Sequence, residues 1–148
     1  MKPLTLEQLM QEWEKDSQVD EHNLDRESLK QGNLHSKWLN LLSTYKMKAL
    51  VLQSKINEIK MQLSRYYNGH MTKDELADFG RPQYQHKAPL KSELERLTEA
   101  DPLFIQAKER FEINLVLAEF CESVIKCIRD RGFSIQAAIE WKKFVAGI

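Results

Sequence analysis

Residues 38–66 read WLNLLSTYKMKALVLQSKINEIKMQLSRY, and this stretch decides the fold. Trp38, Leu42, Tyr45, Ala49, Leu52, Ile56, Ile59, Leu63 and Tyr66 recur alternately four and three residues apart. A heptad seam sustained over four repeats predicts one long helix packed in a bundle. Leu50, Val51 and Met61 lie off the seam, so the buried face is expected to be wider than a two-stranded coiled coil needs. Tyr67-Asn68-Gly69 then supplies a helix stop.

The flanking sequence extends the helical reading in both directions. Thr5 with Gln8 forms a capping box ahead of Leu6, Leu9, Met10 and Trp13. Asp20 and Asn23 are expected to cap a second short helix through Leu24 and Leu29, ended by Gly32-Asn33. Downstream, Thr72 and Glu75 make another capping box, soon interrupted by Gly80, Pro82 and Pro89. Residues 68–90 therefore read as a linker with a helical turn inside. Lys91 to Thr98 is helical by composition, and Asp101-Pro102 offers a cap residue and a first-turn proline. A second long helix is predicted from Pro102 to Arg131, closed by Gly132, with Ser134 capping a last helix from Ile135 to Val145.

The predicted fold is all-α: two long helices plus shorter ones, an N-terminal helical bundle and a C-terminal oligomerisation region. The expected division is 1–67 as the N-terminal region with a basic helix, 68–90 as linker, and 91–148 as the C-terminal helices. The middle of the second long helix is apolar nearly all round, which places it inside a protein or between subunits. Few other helices are available to cover it, so an oligomer interface through Phe111, Leu115, Ala118, Phe120, Val124, Ile128, Trp141 and Phe144 is expected.

Composition agrees with a globular helical chain. It has 148 residues, 42% apolar and 30% charged, and only five Gly and four Pro, too few for a turn-rich β fold. A chain of this size buries about two-thirds of its unfolded surface and needs no disulfide or metal to fold. No apolar run is long enough to cross a bilayer, and Met1-Lys2-Pro3-Leu4-Thr5 begins no signal peptide, so neither membrane nor secretion is expected. Cys121 and Cys127 point to different faces of one helix and are expected to be two buried, unbridged thiols. His22, His35, His70 and His86 are scattered without metal-ligand spacing. No cofactor is expected.

The charge is neutral in total, with 22 basic and 22 acidic residues, but not in place. Residues 1–30 carry four basic residues against eight acidic ones, whereas residues 37–65 carry six basic residues against Glu58 alone. With Trp38 and Tyr45 at heptad position d, Lys46 and Lys60 fall at e and Lys48 and Lys55 at g. A parallel self-paired coil would face like charges there. Two partners relieve the repulsion: the acidic N-terminal segment folded back, or the phosphates of a nucleic acid. Lys37, Lys46, Lys48, Lys55, Lys60 and Arg65, with Tyr66 and Tyr67 as aromatic faces, form a candidate site for single-stranded nucleic acid. The alternative is a solvated lysine face on a structural helix.

Catalytic patterns are absent. The glycines make neither a GxxxxGK[ST] nor a GxGxxG loop, and no GxSxG elbow occurs. Glu93/Glu95 and Glu109/Glu112 have the spacing of ion-paired helix surface. No enzyme is expected.

Leu34-His35-Ser36-Lys37-Trp38-Leu39-Asn40, followed by a lysine-rich helix ending Arg65-Tyr66-Tyr67-Asn68-Gly69, resembles the UvsY family of recombination mediators of T-even-like phages. Arg131-Gly132-Phe133-Ser134-Ile135 and Ala138-Ile139-Glu140-Trp141-Lys142-Lys143-Phe144 are similar to the end of the same family. The resemblance implies a non-enzymatic, ring-like homo-oligomer in the cytoplasm of the infected host cell. It implies binding to single-stranded DNA, the phage recombinase and the phage single-strand-binding protein, loosening the latter so that the recombinase can assemble in recombination, repair and replication. In the family the basic stretch before the paired tyrosines holds DNA and the C-terminal part drives assembly. Lys60 matches that basic stretch, while Gln62 and Leu63 stand where a second basic residue is expected. Competing classes are a helical adaptor without DNA affinity and a helicase-loading factor that prefers forked DNA.

Overall fold

The computed structural model describes residues 4–148; Lys2 and the rest of the first three residues, on which part of the opening reading falls, lie outside it. The described residues form five helices and no strand: α1 (Leu6–Asp16), α2 (Leu24–Tyr67), α3 (Lys73–Phe79), α4 (Lys91–Ala100) and α5 (Pro102–Ala146). The chain is all-α, as its sequence pattern predicts.

Local chemistry sets most helix ends. At α1, Thr5 N–H donates to Gln8 Oε1 (2.9 Å) and Gln8 N–H to Thr5 Oγ1 (3.2 Å), the reciprocal pair of a capping box. Ahead of α2, the Asn23 side-chain amide and the His22 N–H both donate to the Asp20 carboxylate, which lowers its pKa. Gly69 closes α2 with φ of +71°, a left-handed value that costs glycine little. Thr72 caps α3 through Glu75 N–H, and Gly80 ends it with φ of +75°. Asp101 Oδ1 accepts from Leu103 N–H (3.0 Å), with Pro102 in the first turn of α5.

Two expected breaks are absent. Gly32-Asn33 does not stop a short helix; α2 runs through it for 44 residues. Gly132 does not close a helix before Ser134; α5 runs through it for 45 residues. The reason is a contact between positions far apart in sequence. Gln31 Nε2 donates to the Ile128 carbonyl (2.7 Å), and Arg131 donates to Gln31 Oε1 and to the Asp16 carbonyl. A Cβ on Gly132 would sit 3.3 Å from Gln31 Nε2, so this glycine marks a close approach of α2. A helical glycine costs about 1 kcal/mol relative to alanine, which such contacts outweigh.

The chain divides into two compact units, one of residues up to Met47 with Asn114–Ile148, the other Lys48–Ile113. In the first, Leu9, Trp38, Leu42 and Tyr45 pack against Leu117, Ala118, Cys121, Val124 and Ile128. Trp38 is fully buried, and its indole N–H donates to Asp16 Oδ2 (2.9 Å), so the buried donor is satisfied. In the second, Ile56, Ile59, Leu63 and Ala107 form the core, flanked by Tyr67, Phe79, Phe104 and Phe111.

The seam residues of α2 are buried apart from a half-buried Leu52. The expectation of a wider buried face fails, because Leu50, Val51 and Met61 are each more than 60% exposed. Each unit supplies neighbours to one side of α2 only. Cys121 is buried, which pushes its thiol up to about 11, but Cys127 is exposed, against the expectation of two buried thiols. Six residues of helix place the pair on different faces, and only one of those faces meets the core.

Candidate nucleic-acid interface

The basic residues of α2 fall outside the seam and therefore stay at the surface, but most already have carboxylate partners. In the first unit Lys37 Nζ lies 3.1 Å from Glu12 and 2.7 Å from Asp16. Desolvation pulls the Lys37 pKa down, but the hydrogen bonds to Asp16 and Glu12 outweigh it and leave it raised. The acidic N-terminal segment thus meets the basic helix at this lysine. Lys46 pairs with Glu122 of α5 at 2.9 Å.

In the second unit Lys55 lies 3.7 Å from Glu58 on the next turn, an exposed pair of the kind worth about 0–1 kcal/mol. Lys48 is exposed as well. Lys60 Nζ sits 5.8 Å from the centre of the Phe104 ring, and Arg65 pairs with Glu75 of α3. Exposed pairs like these cost little to open, so a phosphate can replace the carboxylate.

Tyr66 and Tyr67 sit differently from the expected open faces. Tyr66 is 8% exposed and donates its hydroxyl to the Pro82 carbonyl (3.0 Å). Tyr67 donates to Asp101 Oδ2 (2.7 Å), and the two rings meet edge to face at 5.1 Å. Phe79 and Tyr84 pack on them. The tyrosines support the end of α2 from within an aromatic cluster.

Sequence reasoning missed the group that holds this cluster. Arg81 meets both oxygens of Asp101 at 2.7 Å each, and its guanidinium lies over the Tyr66 and Phe79 rings. Burial alone raises the Asp101 carboxyl, but Arg81, the Tyr67 hydroxyl and the Leu103 N–H together hold it below the usual carboxylate value. Tyr67 is pushed up to about 12, by burial first and by Asp101 second. The signal available beforehand was Asp101 as a cap; nothing local pairs it with Arg81.

The residues expected at a subunit interface divide in two. Ala118, Val124 and Ile128 are buried in the first unit's core, Phe120 packs on that core, and Phe111 packs on the second. These side chains pack on the core of their own unit. Leu115, Trp141 and Phe144 remain exposed, and the Trp141 and Phe144 rings stack at 5.7 Å. The turn that carries them is anchored, since Ile135 is buried and Lys142 Nζ donates to the Glu21 carbonyl.

Among the described residues no group of acidic, His or Cys side chains is arranged to hold a metal, and no helix is long and apolar enough to cross a membrane. A family model described as "Recombination, repair and ssDNA binding protein UvsY" matches residues 12–148. The chain belongs to the UvsY family. It is 30% identical over 145 residues to the recombination protein UvsY of Enterobacteria phage T4, covering 97% of this chain and 99% of the relative. A crystal structure of the bacteriophage T4 recombination mediator protein UvsY matches with a TM-score of 0.85 at 26% identity, over 97% of this chain and 99% of that one. Another lattice of the same T4 protein gives 0.84 at 24% identity, over 95% and 99%. The fold and the family are therefore those of a UvsY-type recombination and repair protein that binds single-stranded DNA.

Proposed function

We propose that this protein is a recombination mediator. It binds single-stranded DNA along the basic flank of α2, as a ring-like homo-oligomer in the cytoplasm of the infected host cell. There it weakens the hold of the phage single-strand-binding protein and helps the phage recombinase assemble, in recombination, repair and recombination-dependent replication. The supporting observation is the separation of functions on α2. The seam residues are buried or half-buried, while Lys48, Lys55, Lys60 and Arg65 stay at the surface. A single copy offers a modest basic surface; repetition in an oligomer makes many weak contacts act together.

Titration of a fluorescent single-stranded oligonucleotide at two salt concentrations, with the assembly state fixed by light scattering, tests this reading. Affinity should fall as salt rises, and Lys55→Ala with Lys60→Ala should reduce the logarithmic salt slope by roughly 0.7 per lost contact. Unchanged affinity and slope in an intact oligomer would remove α2 from the DNA site.

The adaptor reading draws on Lys37 and Lys46, whose carboxylate partners come from the chain itself. It predicts no salt-sensitive DNA affinity at all.

A further inference from the structure

We propose that a cleft in the second unit, between residues 84–89 and α4, receives one nucleotide of the bound strand. The proposal rests on the single-stranded DNA reading above and adds to it a subsite outside the basic stretch of α2.

Helix α4 has a cleft on each side, and their charges differ. The larger, about 450 Å³, contains Lys60 together with Glu95 and Glu99. The inside of that cleft is net acidic and does not suit a whole nucleotide, although Lys60 itself stays exposed on the flank of α2. The other, about 410 Å³, has Tyr84, Pro89 and Leu97 as its apolar lining and Lys87, Arg96 and His86 among its polar groups. Both volumes fall within the roughly 300–1,000 Å³ of small-molecule sites, so charge and lining decide between them.

Three features of the second cleft suit a nucleotide. First, Lys87 and Arg96 make no hydrogen bond or ion pair among the described residues, unlike Lys37, Lys46, Lys55 and Arg65. A phosphate can meet them without displacing a carboxylate. Second, Tyr84 is a braced aromatic surface: the Tyr67 ring meets it edge-on at 4.9 Å and Tyr66 lies at 5.8 Å. His86 adds a second ring 5.2 Å from Tyr84. Aromatic faces beside cations are how single strands are held without sequence preference. Third, Glu93 also lines this cleft, where its carboxylate repels a phosphate but accepts from the amino edge of a base. The phosphate therefore belongs with Lys87 and Arg96, and the base with the rings.

The full chain is titrated with an oligonucleotide carrying 2-aminopurine, whose fluorescence falls on stacking. Lys87→Ala with Arg96→Ala changes two exposed side chains outside both cores and should leave the helical circular dichroism unchanged. The expected result is weaker binding, with a salt slope lower by roughly 1.4, at 0.7 per contact. Tyr84→Leu should lose the quenching and weaken binding about 5- to 150-fold, the size of one lost stack. Because Tyr84 braces Tyr66 and Tyr67, His86→Ala is the companion variant, and it should reduce the quenching with the core intact. If the double variant binds and quenches like the parent while Lys55→Ala with Lys60→Ala weakens binding, the cleft is not a subsite and the DNA reading stands. If the parent shows no salt-sensitive binding, both are overturned.

Discussion

Arg81 and Asp101 lie twenty residues apart in sequence and meet through two hydrogen bonds of 2.7 Å, one to each carboxylate oxygen. The side chain of Asp101 is 1% exposed and that of Arg81 23%, so the pair is largely removed from water. Tyr67 and the first turn of α5 share the same carboxylate. One side chain thereby joins the end of α2, the segment after α3 and the start of α5. Tyr84 follows Arg81 closely in sequence and packs on Tyr67, so this pair also positions the ring proposed to meet a base.

Removing the charge from Asp101 should therefore destabilise the second unit. Asp101→Asn keeps the cap oxygen but leaves Arg81 without its ion partner. Breaking a buried pair from one side costs roughly 3–5 kcal/mol, and the remaining exposure of Arg81 places this variant near the lower figure. Urea unfolding followed by circular dichroism measures it; a loss under about 1 kcal/mol would mean that the pair contributes little.

The same cluster sets a response to alkaline pH. The folded pKa of Tyr67 is about 12 against an ordinary 10, so the folded state keeps this proton longer than the unfolded chain. Its contribution is fully present below pH 10 and is lost as pH rises toward 12, at about 1.4 kcal/mol per pH unit at most. Asp101 acts in the opposite sense: its lowered pKa gives stability above pH 4 that is lost as pH falls further. Unfolding midpoints at pH 9 and pH 11.5 should differ more for the parent than for Tyr67→Phe.

How much of this was legible depended on the range of the interaction. The period of the α2 seam, the Thr5–Gln8 box and the Asn68-Gly69 stop are local patterns, and the structure follows them. Gly32 and Gly132 misled because a glycine's tendency to end a helix is local, whereas Gln31, Ile128 and Arg131 act across about one hundred residues. The basic stretch was visible as composition. Its meeting with the acidic N-terminal segment, seen at Glu12 and Asp16, was open to a charge count, whereas its pairing with Glu122 and Glu75 was not, since no local pattern ties those two residues to α2. Tyr84 lay in a segment read as linker, where no period marks a residue as packed.

The two glycines should therefore respond differently to alanine. At Gly32 the added Cβ meets open space, and helix propensity alone should stabilise the protein by about 0.5–1 kcal/mol. At Gly132 the same gain is opposed by the 3.3 Å approach to Gln31 Nε2, whose amide is held by the Ile128 carbonyl and Arg131. Gly132→Ala should be less stable than Gly32→Ala in paired thermal melts. Equal stabilisation would show that Gln31 yields freely.

The cysteines offer a direct check of the α5 faces. Cys121 is buried and its thiol is raised to about 11, so the nucleophilic thiolate is scarce and shielded at neutral pH. Cys127 is exposed. A chromogenic disulfide reagent should titrate one thiol per native chain and two in denaturant. Substitution of Cys127 by Ser should abolish the fast native reaction, whereas Cys121→Ser should leave it unchanged.

Assembly can be argued from the surface left over once both cores are filled. Trp141 is 64% exposed and Phe144 75%, a stacked aromatic pair on an anchored helix. Neither belongs to a core cluster, in contrast to Val124 and Ile128. Aromatic side chains left open in this way are the usual anchors of protein interfaces. Trp141→Lys with Phe144→Lys should therefore shift the protein toward a monomer in light scattering while its helical circular dichroism persists. On the proposed oligomeric reading, DNA affinity should fall with it, because multivalency is lost even though every lysine on α2 remains. An unchanged oligomer would move the interface to other exposed apolar residues of α5, such as Ile113, Leu115 and Val116. A monomer that bound DNA as tightly as the parent would instead separate assembly from DNA binding.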